Sequence, residues 1–128
     1  MRARIVRCDG STELTELPGD SGGSLAAMYA AIGCHTVDVV RIIGAAPGKP
    51  GLDMWIDGEG LYTKSPNMPA SVLASMLAGQ PLRQWIAGDV IFTGGADSEG
   101  GTLPLTAIQD EIIADMVAEI GSRIGALV

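Results

Sequence analysis

Leu52–Pro69, LDMWIDGEGLYTKSPNMP, decides how the rest of the chain is read. Leu52–Asp57 and Leu61–Lys64 are two short runs flanking the acidic turn Gly58-Glu59-Gly60, and together they predict a β-hairpin. Ser65-Pro66-Asn67-Met68-Pro69 then stops the second strand. Asn67 is a natural N-cap and Pro69 fits a first helical turn. The helix predicted over Pro69–Ala78 buries Val72, Leu73, Met76 and Leu77, and Gly79 closes it. Strands that give way to a capped helix point away from all-α and all-β classes.

Downstream, Trp85–Thr93 reads as a strand, with Gly88 marking a bulge or a close backbone approach. Residues 94–101, GGADSEGG, form a Gly-rich acidic loop. Thr106–Leu127 carries the strongest helical period. Thr106 and Gln109 have capping-box spacing. Ile108, Ile112, Ile113, Met116, Val117, Ile120, Ile124 and Leu127 make an apolar stripe, with Glu111, Asp115 and Glu119 opposite.

Upstream, His35–Ile43 is rich in Val and Ile and reads as a strand. Ser21–Gly33 reads as a helix capped by Ser21 or Ser24, with Leu25, Met28, Tyr29 and Ile32 on one face and Gly33 at its end. Ala3–Cys8 and Thr12–Leu17 are short strands around Asp9-Gly10-Ser11. The order β-β-α-β-β-β-α-β-α predicts an α+β fold. Its sheet is mixed and mainly antiparallel, two or three helices pack on it, and the last helix is long. There is no internal repeat and no linker, so the chain reads as one domain over residues 1–128.

Composition narrows the function classes. The 128 residues carry 8 Lys and Arg against 15 Asp and Glu, a net charge of −7. That balance disfavours direct nucleic-acid binding, which needs clustered cations. Only 18% of residues are charged and 4% aromatic. Few charges on a small domain leave apolar surface exposed, which predicts a homo-oligomer. One His and two isolated Cys, Cys8 and Cys34, predict no metal site and no cofactor, and buried free thiols in a reducing compartment. The N-terminus lacks an apolar signal core, and no run is long enough to span a membrane, so a cytoplasmic location is expected.

Some residues carry a resemblance. They are Leu25, Tyr29 and Ile32-Gly33, then Thr36–Val40, then Trp55–Leu61, then Pro66-Asn67, then Ile86–Val90. This order resembles a family of small uncharacterised domains carried by phages, plasmids and actinobacterial genomes. That family has a helix ending in two Gly, a Val-rich strand, a turn of two adjoining acids and Gly, a following Asn, and an Ile-x-Gly-Asp strand. The resemblance covers about residues 25–94. This chain departs at Ile32-Gly33-Cys34 and at Asp57-Gly58-Glu59. It implies a mobile-element context and a host-cytoplasmic location, and it brings no activity with it.

The residues with chemistry cluster in the opening stretch. Trp55 and Tyr62 straddle the acidic turn and can form either a cross-strand pair or a stacking slot for a planar ligand. Asp57 and Glu59 are either turn acids that aid solubility or groups that read a ligand edge. Asn67 is a helix cap whose helix start can hold an anion, and Arg41, with Lys64 and Arg83, can add positive charge. Adjacent Cys34 and His35 point to opposite sides of a strand and cannot act as nucleophile and base. The expected function is therefore non-enzymatic binding of a small nucleotide-like ligand at Trp55, Asp57, Glu59, Tyr62, Asn67 and Arg41. One alternative is a protein–protein inhibitor or adaptor that presents Glu111, Asp115 and Glu119 to a host protein. A weaker one is an enzyme using Asp57 and Glu59 as acid and base.

Overall fold

In the computed structural model the described residues are 1–19 and 21–127, with side chains described for all of these except 21 and 124–127. Five strands, β1 (Arg2–Val6), β2 (Thr12–Glu16), β3 (Val37–Ile43), β4 (Leu52–Asp57) and β5 (Val90–Gly94), form one sheet in the order β2-β1-β5-β4-β3. Every pairing among them is antiparallel. The helices are α1 (Ser21–Ile32), the single turn α2 (Gly60–Thr63), α3 (Met68–Ala78) and α4 (Ala107–Leu127). The fold is α+β with a long C-terminal helix, as the pattern predicts, and the sheet is more uniform than the expected mixed one.

Strand alternation sorts side chains onto two faces. Val6, Met54, Phe92 and Val90 face α3 and α4, where Leu73, Ile113 and Val117 meet them. Ala3, Ile5 and Ile91 face α1, where Met28 and Ile32 cover them. Each fully buried large side chain such as Phe92 contributes on the order of 2 kcal/mol. Arg4, half-buried, ties α4 to β1 with a bidentate pair to Asp110 at 2.6 and 3.2 Å. The expected end signals of the helices are present. Gly33 and Gly79 adopt φ of 75° and 73° after α1 and α3, and Thr106 and Gln109 exchange two bonds of 3.0 Å.

Four expectations are corrected. The hairpin over Leu52–Lys64 does not form, because both edges of β4 are taken, by β3 and by β5. Residues 60–63 turn into α2 instead. The Asp57 carboxylate accepts the Glu59 N–H at 2.8 Å, and Lys64 N–H closes the turn on Gly60 O at 2.8 Å. Gly60 makes this possible, since a Cβ there would sit 2.8 Å from the Ala87 carbonyl oxygen. The strand expected over Trp85–Thr93 is only Val90–Gly94. Its first half is drawn to the start of α3, where Asn67 bonds Ile86 and Gly88. On α4, Ile113, Val117 and Ile120 are buried, whereas Ile108 and Ile112 are 70% and 45% exposed. The α4 stripe is therefore narrower than its sequence pattern. The Ser21 cap and the Ile124 and Leu127 side chains lie outside the described side chains. Cys8 and Cys34 are free and only half-buried, so the expected full burial of both thiols does not hold. No helix among the described residues is long and apolar enough to cross a membrane.

Candidate functional site

Asn67 is wholly buried and every polar atom of its side chain is used. Oδ1 accepts from Ala70 N–H at 3.0 Å, and Nδ2 donates to Val6 O at 3.0 Å and Gly88 O at 2.9 Å. Its own carbonyl accepts from Ser71 N–H and from the Ser71 hydroxyl. Pro69 has no N–H, so the start of α3 retains little capacity for an anion. Asn67 is thus a knot joining β1, α3 and the approach to β5.

Asp57 is likewise occupied. Its Oδ2 lies 3.1 Å from Lys64 Nζ, which also donates to Ile32 O and Gly33 O at 2.7 Å each, capping the C-terminus of α1. Burial pushes the Asp57 pKa up, but the Glu59 N–H bond and the Lys64 ammonium outweigh it, and the net shift is downward. A carboxyl held ionised in this way suits an ion pair better than general acid catalysis. Glu59 is exposed at the head of α2.

Trp55 and Tyr62 do not form a slot together. Trp55 points to the α1 face, where its indole N–H donates to Thr93 Oγ1 at 2.9 Å. It walls a hollow of about 430 Å³ with Met1, Leu25 and the 97–102 loop. Tyr62 rises from α2 and is 88% exposed. The ring that joins Tyr62 is Trp85, 59% exposed. Both line a hollow of about 150 Å³ with Leu61, Asp38, Asp57 and Gln84. The sequence reading of the site missed Trp85 because the residue lay inside a supposed strand. Its place directly after the turn-rich run Gly79–Gln84 was the available signal.

A second hollow of about 340 Å³ continues this one along β3, sharing Ile56, Gln84 and Ile86 with it. Its walls are apolar, from Val40, Ile42, Leu82 and Ala78, and it is also lined by Arg41 and Arg83. Four of the other six basic side chains are in ion pairs, Arg4, Arg7, Lys64 and Arg123, and Arg2 bonds Leu105 O. Arg41 and Arg83 have neither an ion pair nor a side-chain hydrogen bond among the described residues. Arg41 acts only through space on Asp53, its cross-strand neighbour. Asp53 is buried, and one of its carboxylate oxygens has no hydrogen-bond partner among the described residues. Burial raises its pKa and Arg41 opposes the rise.

Of the residues expected at the site, the structure brings Asp57 and Tyr62 to this connected groove, and Arg41 borders it with its side chain turned to the other face, beside Asp53. It puts Trp55 on the other face of the sheet and Asn67 in the core. No group of three or more His, Cys, Asp or Glu able to hold a metal is found among the described residues. Comparison with curated proteins and with solved structures returns no match. A family model does match residues 1–118, and the chain belongs to that family, described as a domain of unknown function, DUF3846.

Proposed function

We propose that this protein binds a small anionic ligand with a planar group, of nucleotide type, in the groove between β3 and residues 80–87. The observation that carries this reading is Arg83, which has neither an ion pair nor a side-chain hydrogen bond among the described residues and lines an apolar hollow that runs on to Tyr62 and Trp85. Four of the eight basic side chains are spent on internal carboxylates. A guanidinium group left without such a partner beside an apolar cavity suits a phosphate or carboxylate, which Arg can grip bidentately. The connected Tyr62 and Trp85 surface offers ring faces for stacking. The ligand is held and not transformed, since the nearest buried acid, Asp57, is already paired. In the cytoplasm of a cell hosting a phage or plasmid, as the resemblance implies, such binding sequesters a nucleotide signal.

The test is a thermal-shift panel of nucleoside monophosphates with the full chain. Binding raises the melting temperature by mass action and quenches Trp85 fluorescence. The variant Arg83→Gln removes both effects, whereas Arg41→Gln leaves them. An unchanged melting temperature at millimolar ligand would count decisively against the reading.

A second reading rests on α4. Glu111 and Asp115 are exposed without ion-pair partners among the described residues, next to exposed Ile108 and Ile112. This surface suits a basic, partly apolar protein partner. A salt-sensitive pull-down that is lost on neutralising Glu111 and Asp115 checks it.

A further inference from the structure

The groove is polar in a directional way, and that bears on which ligand it takes. At one end it presents Arg83. At the other, Tyr62 and Trp85 stand beside Asp38, Asp57 and Gln84. Both oxygens of Asp57 are already engaged, by the Glu59 N–H and by Lys64. Asp38 is different. It is exposed, and its side chain has neither an ion pair nor a hydrogen bond among the described residues. Asp38, Val40 and Ile42 share one face of β3 by strand alternation, so the carboxylate and the apolar floor lie along a single line. The same alternation turns Arg41 to the other face, beside its cross-strand neighbour Asp53, so the cation on this face is Arg83, across the apolar floor from Asp38.

An ionised carboxylate only accepts hydrogen bonds, and its two oxygens take a pair of parallel N–H donors best. Among the common bases, guanine alone presents two adjacent donors on its pairing edge, N1–H and the N2 amino group. Adenine and cytosine place an acceptor nitrogen beside their amino group, and uracil flanks its N–H with two carbonyls. Each of those edges sets a lone pair against a carboxylate oxygen. The Gln84 amide, able to donate, suits the guanine O6 carbonyl. Resting on the nucleotide reading above, we infer that the ligand's base is guanine, with Asp38 as the specificity-determining residue, Tyr62 and Trp85 as stacking faces, and Arg83 on the phosphate.

Calorimetric titration of the full chain with guanosine, adenosine and inosine 5′-monophosphates tests this. The guanine nucleotide binds at least about tenfold more tightly than the adenine one, the discrimination that a bidentate pair supplies. The inosine nucleotide, which lacks the 2-amino group, falls between them. Asp38→Asn erases the guanine preference. Because Asp38 is exposed, its variant is expected to fold, and the inosine comparison stands without any variant. Equal affinity for guanine and adenine nucleotides overturns the guanine assignment and leaves the nucleotide reading in place. Binding of neither overturns both.

Discussion

Asn67 shows how one residue can be read correctly in part. Its place before Met68-Pro69 marks it as an N-cap, and it is one. Two further bonds, to Val6 O and Gly88 O, come from chain segments far away in sequence. This yields a sharp expectation. Asp caps helices as well as Asn does, so if capping were the whole role, Asn67→Asp would be neutral. Instead it removes two donors and puts a carboxylate against two buried carbonyl oxygens. Both Asn67→Asp and Asn67→Ala are expected to cost about 3 kcal/mol in a denaturant titration, with the Asp variant no better than the Ala one.

Asp53 and Asp57, four residues apart on β4, respond to acid in opposite senses. Asp57 has a lowered pKa in the fold, so its contribution is fully present above the ordinary carboxylate value near pH 4. That contribution is lost as pH falls through the lowered value. Asp53 has a raised pKa, so its ionised form is disfavoured in the fold, and stability is lost as pH rises from the ordinary value through the raised one. Asp53→Asn is therefore expected to raise the melting temperature at pH 7, with the gain shrinking towards pH 3. Lys64→Met is expected to lower it at pH 7, with the loss shrinking over the same range. Melting curves of the three proteins across that range check both signs.

At the scale of elements, apolar patterning identifies α4 but overstates its buried face. A 3.6-residue period records which side chains are apolar, and the packed neighbours decide which of them are covered. Ile113→Ala opens a cavity between α4 and the sheet and is expected to cost about 3 kcal/mol. Ile108→Ala, five residues away on the same stripe, is expected to change stability by less than about 0.5 kcal/mol. Equal losses at the two positions would mean that Ile108 is covered in solution by something else. The turn at residues 57–60 failed as a hairpin signal for a related reason. An acidic Gly turn between apolar runs satisfies the local rules for a hairpin, but pairing needs a free strand edge. Here β5, which arrives thirty residues later, occupies it. The aromatic site was misread through the same error, because the hairpin geometry had placed Tyr62 opposite Trp55.

At the scale of the molecule, one sheet carries both core clusters, so loosening either face is felt by the whole. Met28→Ala, on the α1 side, and Ile113→Ala, on the α4 side, are each expected to lower a single cooperative transition and not to split it. Coincident near-ultraviolet and far-ultraviolet unfolding curves check this. The exposed apolar side chains Leu14, Ile108 and Ile112 lie on the α4 side, where α4 contacts β1 and β2.

The amino-acid pattern alone determined the class of fold, most of the elements, the caps of α3 and α4 and the glycine ends of α1 and α3. These depend on spacing and on neighbours within a few residues, where side-chain periodicity and backbone freedom act directly. Tertiary structure alone decided three things: which strand lies beside β4, that Asn67 is a buried junction, and that Arg83, Tyr62 and Trp85 share one groove. Each depends on contacts between segments distant in the chain. Such contacts are set by competition for sheet edges and for hydrogen-bond partners, which local sequence does not encode.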